Sequence, residues 1–167
     1  MTSNQSEQPA LQPEPGWSEI QRPAAFGSNP TFVTGGDDTD RLRVRYYFRP
    51  DDEHLVGKAW FGPGAQGPPG HAHGGSISAL LDEAMGFASW IAGLTVVAAE
   101  ITIRFVEMLP LGQEVQFEAW VERVDGRKVL TGSQVLGVDG TIYGKGNGLF
   151  IVIDAEKFRK VLEHEAL

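Results

Sequence analysis

The chain contains no cysteine, which excludes disulfides and thiolate metal sites. It also lacks a long hydrophobic run: no apolar stretch approaches the ~18–20 residues needed to cross a bilayer. Positive charge is scarce, with 14 Lys and Arg against 22 Asp and Glu and a net charge of −8. That balance speaks against nucleic-acid binding, and an anionic ligand would need a local basic patch working against the global field. The first eight residues lack the basic and apolar regions of a secretory leader, so a cytoplasmic protein with no membrane association is expected. What remains is 167 residues, 41% of them hydrophobic. That is enough for one domain with a real core.

Residues 1–24 are rich in Pro, Gln, Ser and Glu, and Pro9, Pro13, Pro15 and Pro23 prevent a continuous helix. A disordered or loosely packed tail is expected there. The alternative is a segment laid across the domain on Trp17, Ile20 and Phe26. From Arg41 to Phe48 the residues alternate apolar and polar, the period of a half-buried strand. Leu55 to Phe61 reads as its partner. Gly62-Pro63-Gly64 and Gly67-Pro68-Pro69-Gly70 then form a stiff, turn-rich loop.

One long helix follows. Ile77, Leu80, Leu81, Ala84, Met85, Ala88 and Ile91 recur at helical spacing. Ser76 is the expected N-cap and Gly93 the stop. The expected length of about 16 residues is roughly 24 Å. Ser78, Asp82 and Gly86 form a small, polar stripe. After the helix everything reads as strand. Val97 to Phe105 and Val115 to Val121 alternate, and Asp125-Gly126 and Asp139-Gly140 are hairpin turns joining three consecutive strands. Asp154 can cap a short terminal helix over 154–167 with Phe158, Val161 and Leu162 on one face. The expected fold class is α+β, an antiparallel sheet curled around one helix.

Chemistry concentrates around that helix. Gly74-Gly75 at its start would leave backbone N–H groups bare, an oxyanion well. Asp82 lies inside an apolar run, where a carboxylate is costly without a partner or a task. Together they suggest attack on a carbonyl. The alternatives are a plain turn at Gly74-Gly75 and a hydrogen-bonded structural Asp82. His71 and His73 could join Asp82 and Glu83 in a metal site, but loop orientation by His73 explains the spacing better. Glu83 points about 100° away from Asp82 and reads as structural or solvent-facing. Met85, Phe87 and Trp90 could line an apolar tunnel, although a core role suits each. Trp120, on a polar strand face, suggests a contact surface.

These residues resemble a known family. Gly67-Pro68-Pro69-Gly70, His73-Gly74-Gly75 and Asp82, backed by Ile101-Thr102-Ile103-Arg104-Phe105, Leu109-Pro110-Leu111-Gly112, Val124 to Lys128 and Gly148-Leu149-Phe150, are similar to the hotdog-fold acyl-CoA thioesterases. The branch is that of the phenylacetate-degradation thioesterases and the thioesterase superfamily members, and the likeness covers about 25–153. It implies a homodimer at least, often a homotetramer, with acyl-CoA as substrate and no cofactor. It implies Gly74 as oxyanion donor, Asp82 as general base or nucleophile from the opposite subunit, and His73 as a site-shaping residue. Gly75, Ser78, Glu100, Thr102, Arg127 and Lys128 are the candidate substrate-binding residues. Arg127 and Lys128 would approach the CoA phosphates, or else form a solvated hairpin tip. Ala98 and Lys145 depart from the pattern, since relatives often carry Thr and an acidic residue there. Ser78, Glu100 or Thr102 could replace the missing hydroxyl. A non-catalytic acyl-CoA-binding module and a 3-hydroxyacyl thioester hydro-lyase are the competing functions.

Overall fold

The computed structural model describes residues 8–21, 31–34, 40–154, 156, 157 and 160. The strands are β1 (Ser18–Glu19), β2 (Leu42–Arg49), β3 (His54–Phe61), β4 (Val96–Phe105), β5 (Glu114–Asp125), β6 (Lys128–Gly137) and β7 (Ile142–Val152). The single long helix is α1 (Gly74–Ile91), between β3 and β4. All seven strands form one antiparallel sheet in the order β1-β2-β3-β5-β6-β7-β4. A short 3-10 turn, Pro63–Ala65, occupies the stiff loop before α1. Among the described residues no helix is long and apolar enough to cross a membrane.

The helix forms because its apolar residues fall on one broad face and the sheet supplies a matching surface. Ile77, Leu80, Leu81, Ala84, Met85 and Ala88 are buried against Leu55, Ala59, Phe61, Val115, Phe117, Ala119, Val129, Val135 and Phe150. Each fully buried large side chain of this kind contributes about 1.5–3 kcal/mol. Met85 and Phe87 belong to this core, so they are packing residues rather than tunnel lining. The helix sits close to β7 because Gly146 has no side chain; a Cβ there would stand 2.5 Å from Ser133 Oγ and 3.4 Å from Met85 Cε. At the far end Gly93 takes the left-handed conformation (φ +83°) that ends the helix.

The sheet has an inner face toward α1 and an outer face. Pairing assigns side chains to each, because directly opposed residues share a face. Phe150 is inner and buried, and Ala98 pairs with it. Glu100 pairs with Leu149, the next residue along, because a bulge leaves Ala99 unpaired. Ala98 is therefore inner while Glu100 and Thr102 are outer. This corrects the expectation that Glu100 or Thr102 could replace a hydroxyl at Ala98, which would require them to share its face. Alternation in the sequence continues through the bulge, but the extra residue turns the strand over.

The N-terminal segment differs from the loose tail expected over 1–24. Residues 8–21 run across the outer face of β2, β3 and β5. Leu11 is 1% exposed, and its carbonyl accepts from Tyr47 Oη at 2.7 Å. Glu14 Oε1 accepts from Lys58 Nζ at 2.5 Å and Gln116 Nε2 at 3.0 Å. Burial alone would lower the Lys58 ammonium, but its bonds to Glu14 and Glu114 outweigh that and raise it. The Trp17 ring lies 5.9 Å from that of Tyr47, and β1 pairs with the edge of β2. Prolines stop a helix without stopping an extended strap, and one leucine suffices as a plug. Ile20 packs against the core margin, whereas Phe26 lies outside the described residues. At the other terminus Asp154 Oδ1 accepts from the backbone N–H of Glu156 at 2.9 Å, a cap as expected. Phe158, Val161 and Leu162 lie outside the described residues.

Trp120 is also not a lone exposed aromatic. It stacks on His54 with centroids 5.1 Å apart and planes 15° from parallel. Leu11→Ala should destabilise the protein by about 2–4 kcal/mol, the usual cost for a large buried side chain. Urea denaturation measures this, and no change in midpoint would mean that the strap is unattached in solution.

Candidate active site

The helix start is built by the loop before it. The His73 backbone N–H donates to Ala65 O at 2.8 Å and that of Ala72 to Leu109 O at 2.8 Å. These bonds tie the loop to the 3-10 turn and to the segment after β4. His73 then caps the helix in extended conformation (φ −66°, ψ 136°), in the place expected of Ser76. Its Nδ1 accepts from the Gly75 N–H at 2.9 Å. An accepting Nδ1 puts the ring proton on Nε2. His71 does the reverse: its Nδ1–H donates to Pro69 O at 2.9 Å.

An α-helix begins with four N–H groups that have no partner inside it. Here the Gly75 N–H goes to His73, and those of Ser76 and Ile77 go to His73 O at 2.9 and 3.4 Å. That leaves Gly74. Among the described residues its N–H has no acceptor. One bare donor therefore stands at the positive end of the helix dipole, and it belongs to the glycine expected to hold an oxyanion. The donor of Gly75, a candidate binding residue, is already occupied. So is that of Ser78, whose Oγ donates to Gly74 O at 2.9 Å.

The two adjacent carboxylates have opposite environments. Glu83 accepts from Tyr46 Oη at 2.5 Å and from Thr31 Oγ1 at 3.1 Å, so it is structural. Asp82 is half-buried on the Ser78–Gly86 stripe. Among the described residues it has no hydrogen-bond or ion-pair partner. Burial alone raises its pKa above the ordinary aspartate value of 3.8. Asp82 and Gly74 lie on the same side of one helix but about 12 Å apart along its axis, at 1.5 Å per residue. One copy of the chain cannot bring both to a single carbonyl.

The other candidate residues lie elsewhere. Glu100 and Thr102 help to line an open depression of about 290 Å³ on the outer face, with Glu122, Leu130, Asn147 and Leu149. They cannot replace a hydroxyl at Ala98, which is on the other side of the sheet. Arg104 is also outer, opposite Lys145. Arg127 Nε donates to Val152 O at 3.1 Å at the β5–β6 hairpin, and Lys128 beside it is exposed. Among the described residues no group of three or more His, Asp or Glu is arranged to hold a metal ion. One neighbour of the site was not among the expected site residues. Phe105 of β4 lies against Gly74: a Cβ on that glycine would stand 3.0 Å from Phe105 Cζ. Its apolar character in an alternating strand was legible, but its reach to the helix start was not.

A curled antiparallel sheet around one long helix, with the bare amide at the helix start and the unpartnered carboxylate inside it, is the hotdog arrangement. The family model described as "Thioesterase superfamily" matches residues 69–141, the stretch holding Gly74, Asp82 and Phe105. Acyl-coenzyme A thioesterase THEM4 of Bos taurus is 32% identical over 127 residues, which is 75% of this chain and 52% of that protein. A crystal structure of a thioesterase superfamily protein superposes with a TM-score of 0.62 at 30% identity, covering 65% of this chain and 53% of that one. A Streptococcus mutans structure bound to acetyl CoA shares the fold at a TM-score of 0.58 and 19% identity, covering 60% and 81%. The chain spans about half the length of the curated relatives it matches.

The raised pKa of Asp82 carries a stability signature. The protonated form is favoured in the fold, so no penalty exists below the unfolded value. The penalty grows as pH rises through the window between the unfolded and folded values, and it persists above. Asp82→Asn should therefore raise the melting temperature at pH 7.5, and the gain should fade below about pH 4, near the reference aspartate value. Calorimetry at the two pH values checks this; a lower melting temperature at pH 7.5 would mean that the carboxylate has a stabilising partner.

Proposed function

We propose that this chain hydrolyses acyl-CoA thioesters to free acid and CoA, as a homodimer in which each site draws on both copies. The observation that carries the reading is the pair of unsatisfied groups on α1. A bare Gly74 amide and a partnerless Asp82 carboxylate have complementary tasks in attack on a carbonyl, and their separation of about 12 Å along the helix supports drawing them from different copies. The names of the relatives support the reaction class. A place for the second copy is offered by β4, a sheet edge with no strand neighbour on one side among the described residues. Its Val97 and Ile101 are 43% and 36% exposed. An unpaired apolar edge of this kind invites strand pairing.

In this reading the thioester carbonyl oxygen accepts from the Gly74 N–H. Asp82 of the other copy takes a proton from a water as that water attacks the carbonyl carbon, or attacks the carbon itself. The negative charge moves onto the oxygen and is held by the amide, a contribution of about 2.7–4 kcal/mol for one such donor in measured cases. Collapse breaks the C–S bond, and the CoA sulfur leaves with its electron pair and takes up a proton, from Asp82 where water attacked or from solvent where Asp82 attacked. In the latter case water then cleaves the acyl anhydride on Asp82 to free acid and restores the carboxylate. His73 keeps the loop in register by holding the Gly75 amide. Arg127 and Lys128 are the local basic groups for the CoA phosphates, against a net charge of −8.

A second reading, binding of acyl-CoA without turnover, draws on Ala98. The hydroxyl that the family resemblance leads one to expect there is missing, and Glu100 and Thr102 are turned away by the bulge. A panel of acyl-CoAs with free thiol followed over time separates the readings. Hydrolysis predicts thiol release that falls by roughly 10² or more in Asp82→Asn, the usual worth of a general base. Saturable binding with no thiol release would contradict hydrolysis and favour the second reading. Loss or addition of water with the thioester intact would contradict both.

A further inference from the structure

Phe105 has the geometry of a functional group that neither the reaction scheme nor the core accounts for. It ends β4 on the inner face, opposite Gly144, which has no side chain to meet it. Its ring instead reaches the helix start. A Cβ on Gly74 would stand 3.0 Å from Cζ and 3.3 Å from Cε1, so the ring lies against the Cα of Gly74, one bond from the bare amide nitrogen. Yet Phe105 remains 54% exposed. A large aromatic ring left half in water, beside an unpaired donor, is an expensive arrangement unless something covers its free side. On the same face Ile103 and Ile101 continue the apolar row along the edge of the strand.

We propose that Phe105 is a positioning and specificity-determining residue for the thioester. Its ring walls the Gly74 amide from water on one side, and its exposed part receives the acyl carbons next to the carbonyl. The physical reasons are two. An N–H donor in a low-dielectric setting stabilises a developing oxyanion more strongly than one that water can reach. A polar substituent laid against an aromatic ring loses its hydration and gains no partner. The ring therefore selects acyl groups that are unsubstituted hydrocarbon at the α and β carbons, and it discriminates against a 3-hydroxyl. The absence of a side chain at Gly74 belongs to the same device. An alanine there would keep the amide but push the ring away by a few tenths of an ångström.

The proposal rests on the hydrolytic reading, and the test keeps the two apart. Free thiol is followed with butyryl-CoA and 3-hydroxybutyryl-CoA for the unaltered protein and for Phe105→Leu, Phe105→Ala, Gly74→Ala and Asp82→Asn. Phe105→Ala should lower kcat/KM for butyryl-CoA about tenfold, the lower end of what one apolar contact discriminates. It should cost 3-hydroxybutyryl-CoA much less, so the preference collapses, and kcat should fall along with the rise in KM as water reaches the donor. Phe105→Leu should retain most of the preference. Gly74→Ala should weaken it, and Phe105→Leu placed in that background should restore part of it by making room. This last comparison also covers the case in which Phe105→Ala fails to fold or assemble. An unchanged preference in Phe105→Ala, or no restoration in the double variant, overturns the proposal. Thiol release that depends on Asp82 leaves hydrolysis standing in that event, whereas no release from the unaltered protein overturns both.

Discussion

The rise of an α-helix, 1.5 Å per residue, governs the rest of this structure. It holds the Gly74 amide and the Asp82 carboxylate about 12 Å apart in any one copy. The apolar face of α1 is locked into the curled sheet by Leu80, Leu81, Ala84 and Met85, all 0% exposed, so neither group can approach the other by movement of the helix. Each is left with an unmet need. Among the described residues the amide lacks an acceptor and the carboxylate lacks a donor. In the proposed scheme a second copy meets both needs.

The sheet order makes this possible. The strap of residues 8–17 and β1 cover the β2 side, with Leu11 and Glu14 as anchors. At the opposite edge, β4 has β7 on one side and, among the described residues, no strand on the other. The bulge at Ala99 divides the roles of that strand. Below it Glu100, Thr102 and Arg104 face outward, while Ile101, Ile103 and Phe105 face the helix side. The same irregularity that removes Glu100 and Thr102 from the site gives the site an apolar wall. In the proposed scheme selectivity and catalysis reside on different elements, with the wall on β4 and the charged and polar groups on α1.

Much of this was legible in the sequence, and the reasons differ by element. The helix was legible because seven apolar residues keep its period and Gly93 ends it. The strands were legible because the hairpins at Gly126 and Gly140 leave few alternatives. The cap was misassigned because serine caps far more often than histidine, and only the 2.9 Å bond from Gly75 N to His73 Nδ1 shows which residue does so. The bulge was hidden because apolar alternation persists through it. The strap was legible only as the alternative to a loose tail, with Trp17 and Ile20 as anchors, because its main plug is one leucine among prolines. The contacts of Trp120 with His54 and of Phe105 with Gly74 join strands or elements far apart in the chain, and a period-based reading places a residue on a face without naming its neighbour. The carboxylate and the glycines were legible as types; that one amide is bare and the next is occupied required an accounting of every donor.

The most direct test mixes two inactive forms of the protein. Asp82→Asn keeps the amide and loses the carboxylate. Gly74→Pro keeps the carboxylate and loses the amide, at the first helical position where proline is tolerated. If each site takes its amide from one copy and its carboxylate from the other, unfolding and refolding an equal mixture rebuilds one complete site in every mixed dimer. Thioester hydrolysis should then return to about a quarter of the unaltered rate, since half the dimers are mixed and each carries one working site of two. A mixture as inactive as its two components would contradict the account.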